Sequence, residues 1–418
     1  MFGLKPGAGA LGLAMAVLVL NTTSVAAETA RLAWDELIGV GAEIEGSSRI
    51  TQIALPWVIG ETEGRTAWVT KVAPSGPQAP ILALGCTAGA ANCAAVSPLV
   101  FASSPIALEY HPYSYLLGAT SGAFAGPSAG GDDVLLIKAK LGYRENMGAQ
   151  AEVGVVEWVR QSGTAADDTA TAAVVSDQGD LYVAGRTGLT KVSAAGDVVW
   201  VKELLAGVGS LAVDSNGNVL FTSGNQRPAV KPWFGKFAPD GRLLWRKSAD
   251  AAGSQVVVDQ TNAVFLVNTN LAKYTPGGTL LWRRPIGGRL SIGDDGILSV
   301  VQGATVTTVA GDTGRILRQR TVTPPAPFVF RGLDLGPAGD FVAYACAVDD
   351  HTTLHYWLAK YRVDGALEWD VSWTTYMWEE PITALRFEPE SRSVYLFGLM
   401  QTEYRGPFAR AWRFEIVP

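Results

Sequence analysis

Short apolar runs rich in β-branched residues alternate with polar, Gly-containing turns along most of the chain, and the alternation recurs at roughly forty residues per period. AAVVSDQGDLYVAGRT (172–187) reads as two strands joined by a Gly turn, and LTKVSAAGDVVWVKEL (189–204) as a second hairpin. Four short antiparallel strands, A to D, therefore make one unit. The plan recurs in LAVDSNGNVLFTSG with FGKFAPDGRLLWRKS, and in VVVDQTNAVFLVN with LAKYTPGGTLLWRRP. It recurs again in LSIGDDGILSVVQG with VTTVAGDTGRILRQR, and in LDLGPAGDFVAYA with WLAKYRVDGALEWDVS. Two divergent units precede these. The last unit, ALRFEPESRSVYLFGLM with FARAWRFEIVP, holds strands A, B and C and then stops.

The missing fourth strand stands at the other end of the chain, where ARLAWDELIG (Ala30–Gly39) places Trp34 in the strand-D position. The pattern predicts an all-β fold: a single closed β-propeller of four-stranded blades, 28–418, closed by an N-terminal strand at about 30–39. Borrowing that strand removes an open sheet edge. Counting units predicts eight blades, or seven if the divergent first unit forms none.

Strand D carries a recurring phrase, a Gly turn followed by apolar residues and Trp: GDVVW (Gly196–Trp200), GRLLW (Gly241–Trp245), GTLLW (Gly278–Trp282) and GALEW (Gly365–Trp369). One unit has Arg318 in place of Trp. A large flat ring on an outer strand fills the gap to the neighbouring blade and buries about 150–250 Å². Trp34, Trp158, Trp200, Trp245, Trp282 and Trp369 are therefore read as structural.

The formal net charge of -6 and the lack of a basic run argue against a nucleic-acid partner. Residues 1–27 read as a signal peptide: Lys5, the apolar Leu11–Leu20, then the small residues Val25, Ala26 and Ala27. The mature chain holds no other stretch able to span a bilayer, so the expected location is periplasmic or extracellular. Export permits disulfides. Cys86 and Cys93 bracket the short loop GCTAGAANC and are expected to pair, whereas Cys346 within FVAYACAV is expected to be a buried single thiol.

WVRQSGTAADDTATAAVVSDQGDLYVAG (Trp158–Gly185) resembles the bacterial β-propeller repeat called SBBP, with its W, Gly, acidic pair, apolar strand, D-x-x-G and Y-V-x-G in order. VDSNGNVLFTSG (Val213–Gly224) resembles the same module. The G-x-x-x-W phrase and AGDTGRIL (Ala310–Leu317) are similar to quinoprotein-like propeller repeats. The SBBP likeness implies surface or secreted proteins of varied role. The quinoprotein likeness implies a quinone dehydrogenase with adjacent cysteines and bound calcium, but this chain has no Cys-Cys pair, and no cofactor is expected.

Other constellations are weak. Gly126-Pro-Ser128-Ala-Gly130 matches G-x-S-x-G, yet the nucleophile elbow needs a strand, a sharp turn and a helix, and Ser128 lies in a loop of small residues. His351 and His355 lie four apart beside Asp349 and Asp350, in a loop entering a strand, where extended backbone separates them too widely to share a metal. Asp214, Asn216 and Asn218 alternate as in calcium loops but fall on a hairpin turn. No catalytic or metal-ligating residue is assigned.

In a four-stranded meander the B–C and D–A loops share one face. Long B–C segments are read at Gly118–Asp133, Ser223–Gly235, Val348–Tyr356 and Met400–Phe408, with a D–A loop at Ser372–Pro381. Their aromatic and charged residues make a candidate binding set: Arg227, Trp233, His351, His355, Tyr376, Trp378, Glu379, Glu380, Tyr404 and Arg405. The predicted function is non-enzymatic binding of a protein or envelope polysaccharide through this face. The alternative is an enzyme acting on a saccharide or quinone-linked substrate in the central channel.

Overall fold

The computed structural model describes residues 29–38, 48–54, 57–62, 66–73, 76–77, 82–84, 106–110, 113–120, 129–146, 149–185, 188–204, 207–224, 231–251, 254–293, 295–336, 339–349, 353–375, 382, 384–388, 392–402 and 406–417. Among these residues the strands form eight antiparallel sheets, seven of four strands and one of five. β1 (Thr29–Ile38) does not pair with the strand that comes next in the chain. The first sheet holds β2 (Ser48–Ala54), β3 (Trp57–Thr62), β4 (Thr66–Ala73) and β5 (Gly76–Pro77), with β6 (Leu82–Leu84) also on β4. The second holds β7 (Ile106–Tyr110), β8 (Tyr113–Thr120), β9 (Asp133–Asn146) and β10 (Ala149–Ser162).

The third sheet is β11 (Ala170–Val175), β12 (Leu181–Gly185), β13 (Gly188–Val192) and β14 (Val198–Glu203). The fourth is β15 (Val208–Val213), β16 (Val219–Ser223), β17 (Trp233–Phe237) and β18 (Leu243–Ser248). The fifth is β19 (Gln255–Val258), β20 (Val264–Val267), β21 (Leu271–Tyr274) and β22 (Leu280–Arg284). The sixth is β23 (Arg289–Ile292), β24 (Ile297–Gln302), β25 (Thr305–Ala310) and β26 (Ile316–Thr321). The seventh is β27 (Val329–Leu335), β28 (Phe341–Val348), β29 (Leu354–Tyr361) and β30 (Leu367–Thr375). The eighth is β31 (Ala384–Glu388), β32 (Ser393–Thr402) and β33 (Gly406–Val417), with β1 added outside β33. Repeated four-stranded meanders stacked face to face are the construction of a β-propeller.

The third to sixth sheets bury their middle strands and leave the outer one mostly exposed: β16 and β17 are buried throughout, whereas β18 is mostly exposed. The cores therefore lie between sheets. One joins Tyr182 and Leu189 of the third sheet to Phe221, Trp233 and Phe237 of the fourth; another joins Phe265 and Trp282 of the fifth to Leu298 and Val309 of the sixth.

A polar joint repeats at these junctions. Lys191 and Trp200 face each other across β13 and β14, and both donate to the carbonyl oxygen of Pro239 in the C–D turn of the next sheet, at 3.1 and 3.0 Å. Lys138 and Trp158 share Ala194 O in the same way, and Lys236 and Trp245 share Pro276 O. The turn's Gly rests on the indole. A Cβ at Gly196 would lie 2.9 Å from Trp158 Cδ2, and one at Gly314 would lie 2.7 Å from Trp282 Cδ2. A second joint uses strand B: Tyr115 and Tyr182 donate to Gly179 O and Gly217 O of the following A–B turns, each at 2.9 Å. Burial, with Asp180 and Asp214 nearby, pushes the Tyr182 phenol up to about 12. In the sixth sheet both members of the first joint change together, and Thr308 pairs with Arg318.

β1 pairs with β33 from Thr29↔Val417 to Ile38↔Ala409. Trp34 stands opposite Arg413, the same register as Trp200 opposite Lys191. Because the eighth sheet takes its outer strand from β1, no C–D turn joins that strand to β33. Trp369 of the seventh sheet consequently has no turn carbonyl to meet: it is fully buried and its Nε1 has no hydrogen-bond partner. β2 lies against β7 on one side and against β32 and β33 on the other. No helix among the described residues is long and apolar enough to cross a membrane.

Candidate functional site

Because strands alternate in direction, A–B and C–D turns emerge at one end of every sheet, and B–C and D–A connections at the other. Across the third to seventh sheets the first end is uniform. C–D turns occupy 193–197, 238–242, 275–279, 311–315 and 362–366, each with one Gly at positive φ: Gly196, Gly241, Gly278, Gly314 and Gly365. The second end is not. Its B–C connections range from 186–187 and 303–304 to 121–132 and 224–232.

Two boundaries at the variable end differ from the sequence reading. β32 and β33 continue to Thr402 and from Gly406, so most of Met400–Phe408 is hairpin rather than loop. β30 continues to Thr375, which places Trp373 in a strand instead of the Ser372–Pro381 loop. The reason is apolar packing: Trp373 is buried, stacks on Tyr356 with ring centroids 5.2 Å apart, and meets Phe414 at 4.7 Å.

His355 also lies in a strand rather than a loop, because β29 begins at Leu354. It stands opposite Thr374 on β30, with Nδ1 3.0 Å from Thr374 Oγ1 and Nε2 3.3 Å from Asp349 Oδ2. Both ring nitrogens are thus engaged, and the half-exposed ring presents its edge to solvent beside the B–C connection 349–353. Neither nitrogen is left for a metal without breaking one of these contacts.

Trp233 is the first residue of β17, where the long 224–232 connection re-enters the sheet. Its indole is buried, lies edge-on to Phe221 at 5.1 Å, and is covered by the Arg246 guanidinium 3.9 Å from the ring centroid. Its backbone N–H donates to Ser223 Oγ. The remaining members of the candidate set, Arg227, His351, Tyr376, Trp378, Glu379, Glu380, Tyr404 and Arg405, lie outside the described residues, as do Ser128, Cys86 and Cys93. Cys346 is buried, with Arg331 Nε 3.0 Å from its Sγ.

Asp214 acts as a turn residue. Oδ1 accepts from Asn216 N, Asn218 N and Asn218 Nδ2, and Oδ2 from Asn218 Nδ2 and Lys236 Nζ, the last at 2.7 Å. Burial works to raise this carboxyl, but the hydrogen bonds of Lys236 and Asn218 outweigh it and hold it below the usual range.

An inner cluster escaped the sequence reading. Asp334 on β27 accepts from Phe387 N at 3.0 Å and sits 3.6 Å from both Arg289 of β23 and Arg386 of β31. Arg331 lies at a bulge of β27 between Phe330 and Gly332. Two arginines thus flank one carboxylate, while Arg331 turns to Cys346 on the neighbouring strand. No spacing in the sequence signals this, because a bulge decides which side chain leaves the strand face.

No family model and no curated protein matches the chain. Among solved structures it is similar to BamB from Moraxella catarrhalis, at 12% identity over 92% of this chain and 100% of that chain, with a TM-score of 0.48. It is similar to Kluyveromyces lactis Hsv2 at 12% identity over 77% of this chain and 94% of that chain, TM-score 0.40. A Bacteroides caccae protein of unknown function shares 13% identity over 62% of this chain and 94% of that chain, TM-score 0.35. At such scores these are likenesses in outline, and the functional reading rests on the chain's own residues.

Proposed function

We propose that the chain is an exported, non-enzymatic propeller of eight blades, closed by its N-terminal strand, that binds a protein or cell-envelope polymer through the face where the B–C and D–A connections emerge. The observation that carries this reading is one-ended variability. In the third to seventh sheets the turns at one end repeat in length and glycine position, while the other end departs from the repeat at 121–132, 224–232 and 349–353. Variation confined to one face of a rigid scaffold is where recognition resides in such architectures. Closure is supported by the β1–β33 pairing and by β2 lying against both β7 and β33. Non-enzymatic binding is supported by His355 and Asp214, whose polar atoms are spent on structural partners.

Affinity capture from the native cell envelope tests the reading. The mature chain is compared with a Trp378→Ala, Tyr404→Ala variant and with a variant whose 224–232 connection is replaced by a two-residue turn. A partner retained by the first and lost by either variant supports the proposal. A partner retained equally by all three, or none retained by any, overturns it. Arg289 and Arg386, which share the single Asp334 carboxylate, favour a second reading, an anionic small molecule bound at the inner strands, either as a ligand or as the substrate of a channel enzyme.

A further inference from the structure

The register of the repeats allows each junction between sheets to be compared with the next. Lys191 opposite Trp200 corresponds to Lys236 opposite Trp245, so Val192 takes the place of Phe237, Val183 that of Phe221, and Gly188 that of Trp233. In the fourth sheet those three aromatic rings fill the junction with the third. Phe221 stacks on Phe237 at 4.9 Å, meets Trp233 edge-on, and Phe237 approaches Trp200 at 6.1 Å. In the third sheet two valines and a glycine occupy the same positions. Gly188 cannot be larger, because a Cβ there would fall 2.1 Å from the carbonyl oxygen of Lys202.

The result is a half-open cavity of about 350 Å³ between the second and third sheets. Val134 and Leu136 form one wall, and Val183, Val192, Val198 and Val201 the other, with the Thr190 hydroxyl among them. Arg160 and Glu203 flank the mouth. Arg160 is held in place by bonds to the carbonyls of Gly196 and Ala195, so the rim is braced rather than collapsible. Protein interiors are close-packed, so a void of this kind with mainly apolar walls, here with Gln161, Thr164 and Asp168 also in the lining, is a receptor for a small aromatic molecule with a polar edge. The volume is at the lower end of the range of ligand sites.

We propose that this cavity is a binding site for a small neutral aromatic molecule of one or two fused rings, which supplies the ring that the neighbouring junction supplies from Trp233 and its stacked phenylalanines. Thr190, where the fourth sheet has Gly235, gives a hydrogen-bonding hydroxyl to a polar edge of that ring. Valine in place of two aromatics leaves room for one guest without opening the junction, and exposed Val198 and Val201 make the entrance apolar.

Indole is the probe, since it is the side chain of Trp233 without its backbone. Titration by calorimetry and by ¹³C-methyl spectra of the full chain is expected to saturate, with shifts centred on Leu136, Val183, Val192 and Val201. Val183→Phe and Val192→Phe fill the cavity from within. Each is expected to weaken indole binding at least tenfold while leaving the melting temperature equal or higher. Val309→Phe, at the Val192 register in the sixth sheet, is expected to leave indole binding unchanged. Absence of saturable binding to the wild-type chain overturns the proposal, and so do methyl shifts located elsewhere. If a filling variant fails to fold, the methyl map of the wild-type chain still decides the matter.

Discussion

Trp200 donates its indole N–H to the carbonyl oxygen of Pro239, 3.0 Å away in the adjoining sheet. That bond, repeated from Trp158, Trp245 and Trp282, converts an apolar stack of sheets into one with a fixed rotational setting. The ring supplies area and the N–H supplies direction. Trp200→Phe keeps most of the area and removes the bond, at an expected cost of about 1 kcal/mol. Trp200→Ala loses both, at an expected cost of about 3 kcal/mol. Urea unfolding of the two variants separates these contributions, and equal costs would refute the division.

Gly314 and Gly296 both hold positive φ, +68° and +74°, but only Gly314 touches an indole. A Cβ at Gly296 meets nothing within 4 Å, so Gly296→Ala should lose only the backbone preference, about 1–2 kcal/mol. Gly314→Ala drives its methyl to 2.7 Å from Trp282 Cδ2 and should lose an additional ~1–3 kcal/mol. Thermal unfolding under identical conditions measures the difference. Equal losses would show that the indole yields freely.

The strands and the outer tryptophans were legible because they recur: each GxxxW phrase states its turn, its edge strand and its ring at once. A lysine opposite the tryptophan was present in every such hairpin, in LTKV, FGKF and LAKY, yet its sharing of the turn carbonyl, as at Lys191 and Lys236, depends on cross-strand register, which spacing alone does not reveal. Trp233 and Trp373 were read as loop aromatics because strand ends are set by packing, and Tyr356 and Phe414 draw β30 past the expected boundary. The void at Val183 and Val192 was invisible for the opposite reason. Nothing in a valine marks the ring that its counterpart carries one sheet away.

Asp214 and Asp340 should respond to acid in opposite directions. The Asp214 carboxyl is held below its usual range, so the stability it contributes is present above the unfolded value, roughly 3.9, and is lost as pH falls through the folded value. Burial raises the Asp340 carboxyl, which Lys360 only partly offsets while Glu368 opposes ionisation further. Its contribution is therefore present below the unfolded value and is lost as pH rises through the folded one. Asp214→Asn leaves Lys236 buried without its charge partner and should cost about 3–5 kcal/mol at neutral pH. Asp340→Asn should cost far less and should flatten the stability profile on the acid side. Urea melts of both variants from acid to neutral pH check the signs, and a shared direction would contradict them.

The strand β1 is the part of the fold most distant in sequence from its partner, and its contribution is separable from that of its side-chain ion pair. Arg31 lies 3.0 Å from Glu415, but both groups are substantially exposed, so Arg31→Ala should change stability by less than about 1 kcal/mol. Deleting 28–39 is a different perturbation. It strips β33 of its outer partner along the whole register from Val417 to Ala409 and uncovers the core around Trp369, Trp412 and Ile416, to which Ala30 contributes. An exposed edge of that length also invites pairing between molecules. The truncated chain should melt several degrees lower and self-associate, and a peptide of residues 29–38 added in trans should reverse both changes. An unchanged melt would show that β1 decorates the eighth sheet without closing anything. Rescue by the peptide, together with a silent Arg31→Ala, would assign the stability to backbone pairing and apolar burial rather than to charge.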